Sequence, residues 1–262
     1  MMTEQPSTQP ADGLVASEPF VSAHGRAMVV LALFGAYIVI MLCSIGLSLM
    51  RLTMAPVVLG GGGPDEQFTL DELLQFFVGL GNVLVYVALV VAFLVWLHRA
   101  SKNVPALGNQ KSKVEFTPGW AVGWFFIPLA NLVMPYRAVR EVWEKSDPAV
   151  RTEADRLFTP PSSGGLLLAW WICWIASNVA SNIAVRLQAD ARTADAVRAL
   201  SGVMIFSDLL DILAAVLAFL VVRGLDRRQR ERSRNVTYLP HRPPPPPVFT
   251  TQQPPPFAPP GA

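Results

Sequence analysis

Residues 27–50 read AMVVLALFGAYIVIMLCSIGLSLM, a stretch without one charged side chain. An α-helix rises about 1.5 Å per residue, so about 20 apolar residues cross the hydrocarbon core of a bilayer. The stretch is long enough to cross with some tilt. A cleaved signal peptide would carry an apolar region of only about 7–15 residues, so a retained helix is the reading. Leu42, bulky and directly before Cys43, argues against a lipid-anchor motif at that cysteine.

Working outward, residues 73–97, 166–185 and 202–222 form further apolar blocks. Trp96 closes the second, where interfacial aromatics belong. The chain is 52% hydrophobic and 15% charged. A soluble domain carries about 25% charged residues, so the solvent of this one is partly lipid. The blocks predict an all-α integral membrane fold. Residues 1–23 are polar and predict a disordered tail. Residues 24–225 form the multi-pass domain. Residues 226–262, basic and then Pro-rich with PPPPP and PPP, predict a second disordered, extended tail.

Charge sets the expected topology. The loop 51–72 holds Arg51 against Asp65, Glu66, Asp71 and Glu72, whereas 98–118 holds Arg99, Lys102, Lys111 and Lys113 against Glu115. The run RGLDRRQRERSR, Arg223 to Arg234, contains six arginines. Basic loops stay cytoplasmic. Both termini and the 98–118 loop are therefore expected inside and the 51–72 loop outside. The arginine run reads as this topology signal and not as a nucleic-acid site. The map leaves residues 119–139 with both flanks on one side. Pro118, Pro128 and Pro135 divide that region, and each removes a backbone donor and disfavours helix in the preceding residue. Four spanning helices plus one Pro-broken re-entrant or interfacial segment is the expectation; five spans with an outside amino terminus is the alternative.

Two groups of polar residues stand out. Arg99, Arg137 and Arg140 could bind an anionic headgroup or ligand, with Asn131, Glu141 and the interface-type Trp120, Trp124 and Trp143 nearby in sequence. The blander reading is a membrane-surface helix with snorkelling arginines and an Arg137–Glu141 pair. In the last apolar block, Asp208 and Asp211 lie three apart, and the block before it offers Ser177, Asn178, Ser181 and Asn182. A carboxylate at mid-membrane costs about 2.5–3.5 kcal/mol on insertion scales. It reads either as interhelical hydrogen bonding or as a cation or proton site. The cysteines, Cys43 and Cys173, and the histidines, His24, His98 and His241, have no metal-ligand spacing. No cofactor and no catalytic residue is assigned.

WLHRASKNVPALG, then FTPGWAVGWFFIPLANLVMPYRAVREVWEKSDP, resembles the bacterial family called domain of unknown function 4328. The matching residues are Arg99 and Asn103, then Pro118, Gly119 and Trp120. They continue with Trp124, Phe126, Pro128, Asn131 and Leu132, and end with Pro135, Glu141, Trp143 and Ser146. The chain reads WFF where the family core often reads Trp-Phe. The resemblance runs over residues 27–225. It implies a multi-pass protein of the bacterial cell membrane and supplies no activity. Relatives resemble the chain in Pro-rich tails; the zinc ribbon that some carry is absent here. Beyond the bilayer itself, the expected role is a scaffold or adaptor whose Pro-rich cytoplasmic tail docks a protein. The alternative is a small transporter, channel or lipid-handling component using the broken segment and the Asp208/Asp211 stripe.

Overall fold

The computed structural model describes residues 14–16, 18–60, 67–108, 114–149, 164–190 and 193–239. Strand β1 (Leu14–Ala16) leads into helices α1 (His24–Gly60) and α2 (Gln67–Lys102). Short helices α3 (Pro118–Gly123) and α4 (Met134–Lys145) follow, then the long α5 (Gly164–Asp190) and α6 (Ala194–Ser233), and strand β2 (Val236–Tyr238). The four long helices are each long and apolar enough to cross a membrane. This is an all-α integral membrane protein.

The long helices pack in the spatial order α2, α1, α6, α5, each antiparallel to its neighbour. α2 and α5 do not pack on each other along their backbones. Small residues Ala214, Ala215 and Ala218 are buried in α6 and permit the close backbone approach that lipid-embedded helices need. Large apolar side chains such as Val39, Leu42, Val87, Val91, Leu209 and Leu213 are exposed. In water such a surface would drive association; in a bilayer it is the lipid-facing coat. Cys43 lies exposed and Cys173 is half-buried, both as free thiols.

Three boundaries differ from the sequence expectation. The helices outrun the apolar blocks, and α6 continues through the arginine run to Ser233, where a disordered tail is expected from 226. Its 40 residues span about 60 Å, twice the ~30 Å hydrocarbon core. The extension is held because Val222, Leu225, Asp226, Gln229 and Arg232 are buried along one face. Likewise, β1 falls within the expected amino-terminal tail. It pairs in parallel with β2, Leu14 opposite Val236 and Ala16 opposite Tyr238. The remaining tail residues, 1–13 and 240–262, lie outside the described residues.

The starts of α1 and α5 and the ends of α2 and α6 share one end of the bundle, where a polar network joins α1, α2, α4 and α6. Asn103, fully buried, donates to the Val21 carbonyl (3.0 Å) and to Gln229 Oε1 (3.3 Å). Gln229 donates in turn to the Ala100 carbonyl (2.8 Å) and Ser146 Oγ (3.2 Å). Arg232 reaches the Leu107 carbonyl at 2.9 Å and the Asp147 carbonyl. Asp147 pairs with Arg228 at 2.9 Å, whose guanidinium lies 4.4 Å over the Trp143 ring. His24 meets Asp226 at 2.9 Å. A helix ends with orphan carbonyls; Gln229 satisfies one of those at the end of α2.

Residues 118–133 do not form a fifth span. They hold the six-residue α3 and two three-residue 3-10 turns, Trp124–Phe126 and Ala130–Leu132. Thr117 caps α3 by accepting from the Trp120 N–H, with Pro118 in its first turn. Both flanks of the segment sit at the networked end, as a re-entrant hairpin requires.

Candidate functional site

The re-entrant segment dips into the bundle beside α2 and α5. Phe125 meets Phe93 of α2 at 6.0 Å and Trp171 of α5 at 6.4 Å, both edge-on. Trp171 lies about 10 Å along α5 from its start, at 1.5 Å per residue. Irregular backbone at that depth must satisfy its own polar groups. The turn does so with Ala130 N to Pro128 O (2.8 Å), Asn131 N to Ile127 O (2.9 Å) and Leu132 N to Leu129 O (3.2 Å). Trp171 Nε1 donates to the Leu132 carbonyl at 2.8 Å. At the tip, Leu129 adopts a positive φ of 65°, a conformation that costs a side-chain-bearing residue about 1–3 kcal/mol. Leu129 is 83% exposed, and its neighbours Phe126, Leu132 and Val133 are also exposed and apolar. The tip turns an apolar surface outward.

Glu141 fixes one root of this hairpin. Its carboxylate accepts from the Glu115 N–H (2.6 Å) and the Phe116 N–H (3.0 Å) and pairs with Lys145 at 2.8 Å. Arg137 pairs with Glu115 and lies 5.8 Å over the Phe116 ring. Arg140 pairs with Glu144 at 2.7 Å, and Arg99 donates to the Val21 carbonyl at 3.3 Å. The three arginines thus have different partners and do not converge on one pocket, and Arg137 pairs with Glu115 where the sequence suggests Glu141. Trp120 and Trp124 stack obliquely with centroids 4.9 Å apart, Trp120 being exposed.

Asn131 is different. It lines a cavity of about 590 Å³ between α2 and α5, backed by α1 and α6 and closed at one end by the re-entrant segment. Its wall carries nine aromatic side chains: Phe34, Tyr37, Tyr86, Phe93, Phe125, Phe126, Trp170, Trp171 and Trp174. Phe93 and Trp170 meet at 6.1 Å, and Tyr37 and Tyr86 at 6.0 Å. Trp171 and Trp174 stack at 4.8 Å. Asp211 supplies the one carboxylate of the lining, and no Lys, Arg or His contributes to it among the described residues. Asn131 Oδ1 is buried without a hydrogen-bond partner among the described residues. Val83 and Phe126 contribute exposed apolar side chains to the lining. A second hollow of about 450 Å³ shares Asn131, Trp174 and Asn178 and follows α5 past Asn182 to Arg186.

The intramembrane stripe divides. Ser181 Oγ meets Ser207 Oγ at 2.8 Å across α5 and α6. Ser177 donates to the Trp174 carbonyl at 3.0 Å and lies beside Asp211, and Ser44 of α1 lies beside Asp208. Asp208 Oδ2 has no partner among the described residues. Asn178 and Asn182 are exposed and donate back to the Trp174 and Asn178 carbonyls, at 2.6 and 2.7 Å. Of the two carboxylates, only Asp211 lines the cavity. Sequence reading misses Tyr37, Tyr86, Asn82 and the Trp170–Trp171–Trp174 face. Asn82, an amide inside an uninterrupted apolar block, and the tryptophans at helical spacing were the available signals.

No curated protein and no solved structure matches the chain. The match to a family model begins at residue 64, leaving α1 outside it, and carries no activity with it. By that match over residues 64–227, the chain belongs to the family described as Domain of unknown function (DUF4328).

Proposed function

We propose that this protein binds an amphiphilic molecule inside the bilayer, as a small transporter or lipid-handling component. The observation behind this reading is the cavity of about 590 Å³ at membrane depth. Small-molecule sites usually occupy about 300–1,000 Å³, are mostly apolar, and carry a few placed polar groups. Here those groups are Asp211, Asn131, Asn82 and Asn178. The gap between α2 and α5 gives a lateral route from lipid past Val83 and Phe126. The re-entrant segment forms the floor. In this reading the networked end, with its arginines, faces the cytoplasm of a bacterial cell, and both chain ends lie there.

Photolabelling with an alkyl-diazirine amphiphile tests it. Trp170 and Trp171 line the cavity and are each 5% exposed, far less open to bulk acyl chains than the outer coat. Adducts on these two residues are expected. Adducts confined to the outer coat, at Val39, Leu42 and Val91, refute the reading.

The adaptor role rests on a separate observation: β2 is pinned to β1 at the networked end. The Pro-rich residues after it therefore start from a fixed point, a suitable arrangement for displaying a docking segment to a cytoplasmic protein.

A further inference from the structure

We infer that the cavity takes a lipophilic organic cation, an ammonium- or phosphonium-type centre on an apolar body, with Asp211 as its counter-ion. This deepens the binding reading above and rests on it. The sign of the site comes first. Asp211 is the charged residue of the lining, and no basic residue shares the cavity among the described residues. The blocks 27–50, 73–97, 166–185 and 202–222 contain no Lys, Arg or His at all. An ionised carboxylate in low dielectric needs a partner, and these spans supply no cation. An anionic ligand would meet like charge there, since the basic residue of the adjoining hollow, Arg186, lies past Asn182 and outside this lining.

The walls then select the kind of cation. Aromatic faces attract cations through their ring quadrupole, most strongly when the cation is desolvated. Nine aromatic residues around one carboxylate form such an environment. A hard inorganic cation wants about six or more oxygen ligands. The described residues contain no group of three or more His, Cys, Asp or Glu side chains able to hold a metal ion. An ammonium or phosphonium centre makes no such demand. Asp208 lies outside the lining and has no part in the contact.

The test uses the full chain in uncharged dodecylmaltoside micelles. Tetraphenylphosphonium and the neutral triphenylphosphine oxide are titrated by equilibrium dialysis. Tetraphenylphosphonium should bind saturably. Asp211→Asn should weaken it by about 30-fold, equivalent to about 2 kcal/mol, the lower end for removing one partner of a buried charge pair. Binding of the neutral probe should move by less than about threefold, and Asp211→Glu should restore cation binding to within the same margin. Equal tetraphenylphosphonium affinity in wild type and Asp211→Asn overturns the inference. So does neutral-probe binding without cation binding, which leaves the cavity reading standing. If neither probe binds, both readings fall.

Discussion

Gln229→Ala should cost this protein about 3 kcal/mol, although the residue lies within a run that composition marks as a solvated tail. Gln229 is 2% exposed and makes three hydrogen bonds, with Asn103, Ala100 and Ser146. Each is worth about 1 kcal/mol net, and more where a buried partner is left unsatisfied. Truncation also strands the Ala100 carbonyl at the end of α2 and removes one of the two acceptors of the Asn103 amide. Gln229→Met fills most of the volume and isolates the polar loss, at about 2–3 kcal/mol. The measurement is SDS-driven unfolding in mixed micelles, followed by tryptophan fluorescence. Arg234→Ala, at an exposed position, serves as the control and should stay within about 0.5 kcal/mol of wild type. If Gln229→Ala and Gln229→Met also fall within that margin, the polar network does not join α2, α4 and α6 as described.

Gly224→Ala should destabilise by about 1–3 kcal/mol through overpacking, because an added Cβ would lie 2.7 Å from Trp143 Cη2; the same unfolding assay reads it, and Trp143→Phe in the same chain should recover part of the loss. In a Cys43→Ala, Cys173→Ala background, Lys102→Cys and Ala149→Cys should label from the cytoplasmic side and Thr193→Cys from the other. Labelling of positions 102 and 149 from opposite sides would make the Pro-broken region a span.

The four crossings were legible because each apolar block is about as long as the bilayer core is thick and free of basic charge. The re-entrant segment was legible from three prolines and from a charge map, set by the basic 98–118 loop and the arginine run, that leaves both of its flanks on one side. The continuation of α6 was not. Leu225, Asp226, Gln229 and Arg232 do follow helical spacing, but a run so rich in charge gives no apolar stripe to read. The partners that hold it are main-chain carbonyls at Ala100, Leu107 and Asp147, which leave no mark in a sequence. The same limit explains the arginines. A basic residue in a motif looks like a ligand donor until its acceptor is placed, and Arg99 has the Val21 carbonyl, 78 positions away. Asp211 was legible as an anomaly, a carboxylate inside an apolar block. The ring of aromatics around it was not, since Tyr37, Tyr86, Phe125 and Trp174 come from four separate elements.

Frame and cavity are built from largely different residues. Asn103, Glu141, Trp143 and Ser146, which carry the family resemblance, bind neighbouring elements at the networked end and at the root of the hairpin. The carboxylate and most of the aromatic wall lie outside that motif, which contributes Phe126 and Asn131 to the lining. The frame acts mechanically, holding the roots of a hairpin whose exposed tip has Leu129 strained at positive φ. The Trp171 bond to the Leu132 carbonyl ties that tip to the same tryptophan that lines the cavity. Loss of the Glu141 clamp would therefore release the floor of the cavity without touching Asp211, so binding can fail through the frame while the charge that selects the ligand stays in place.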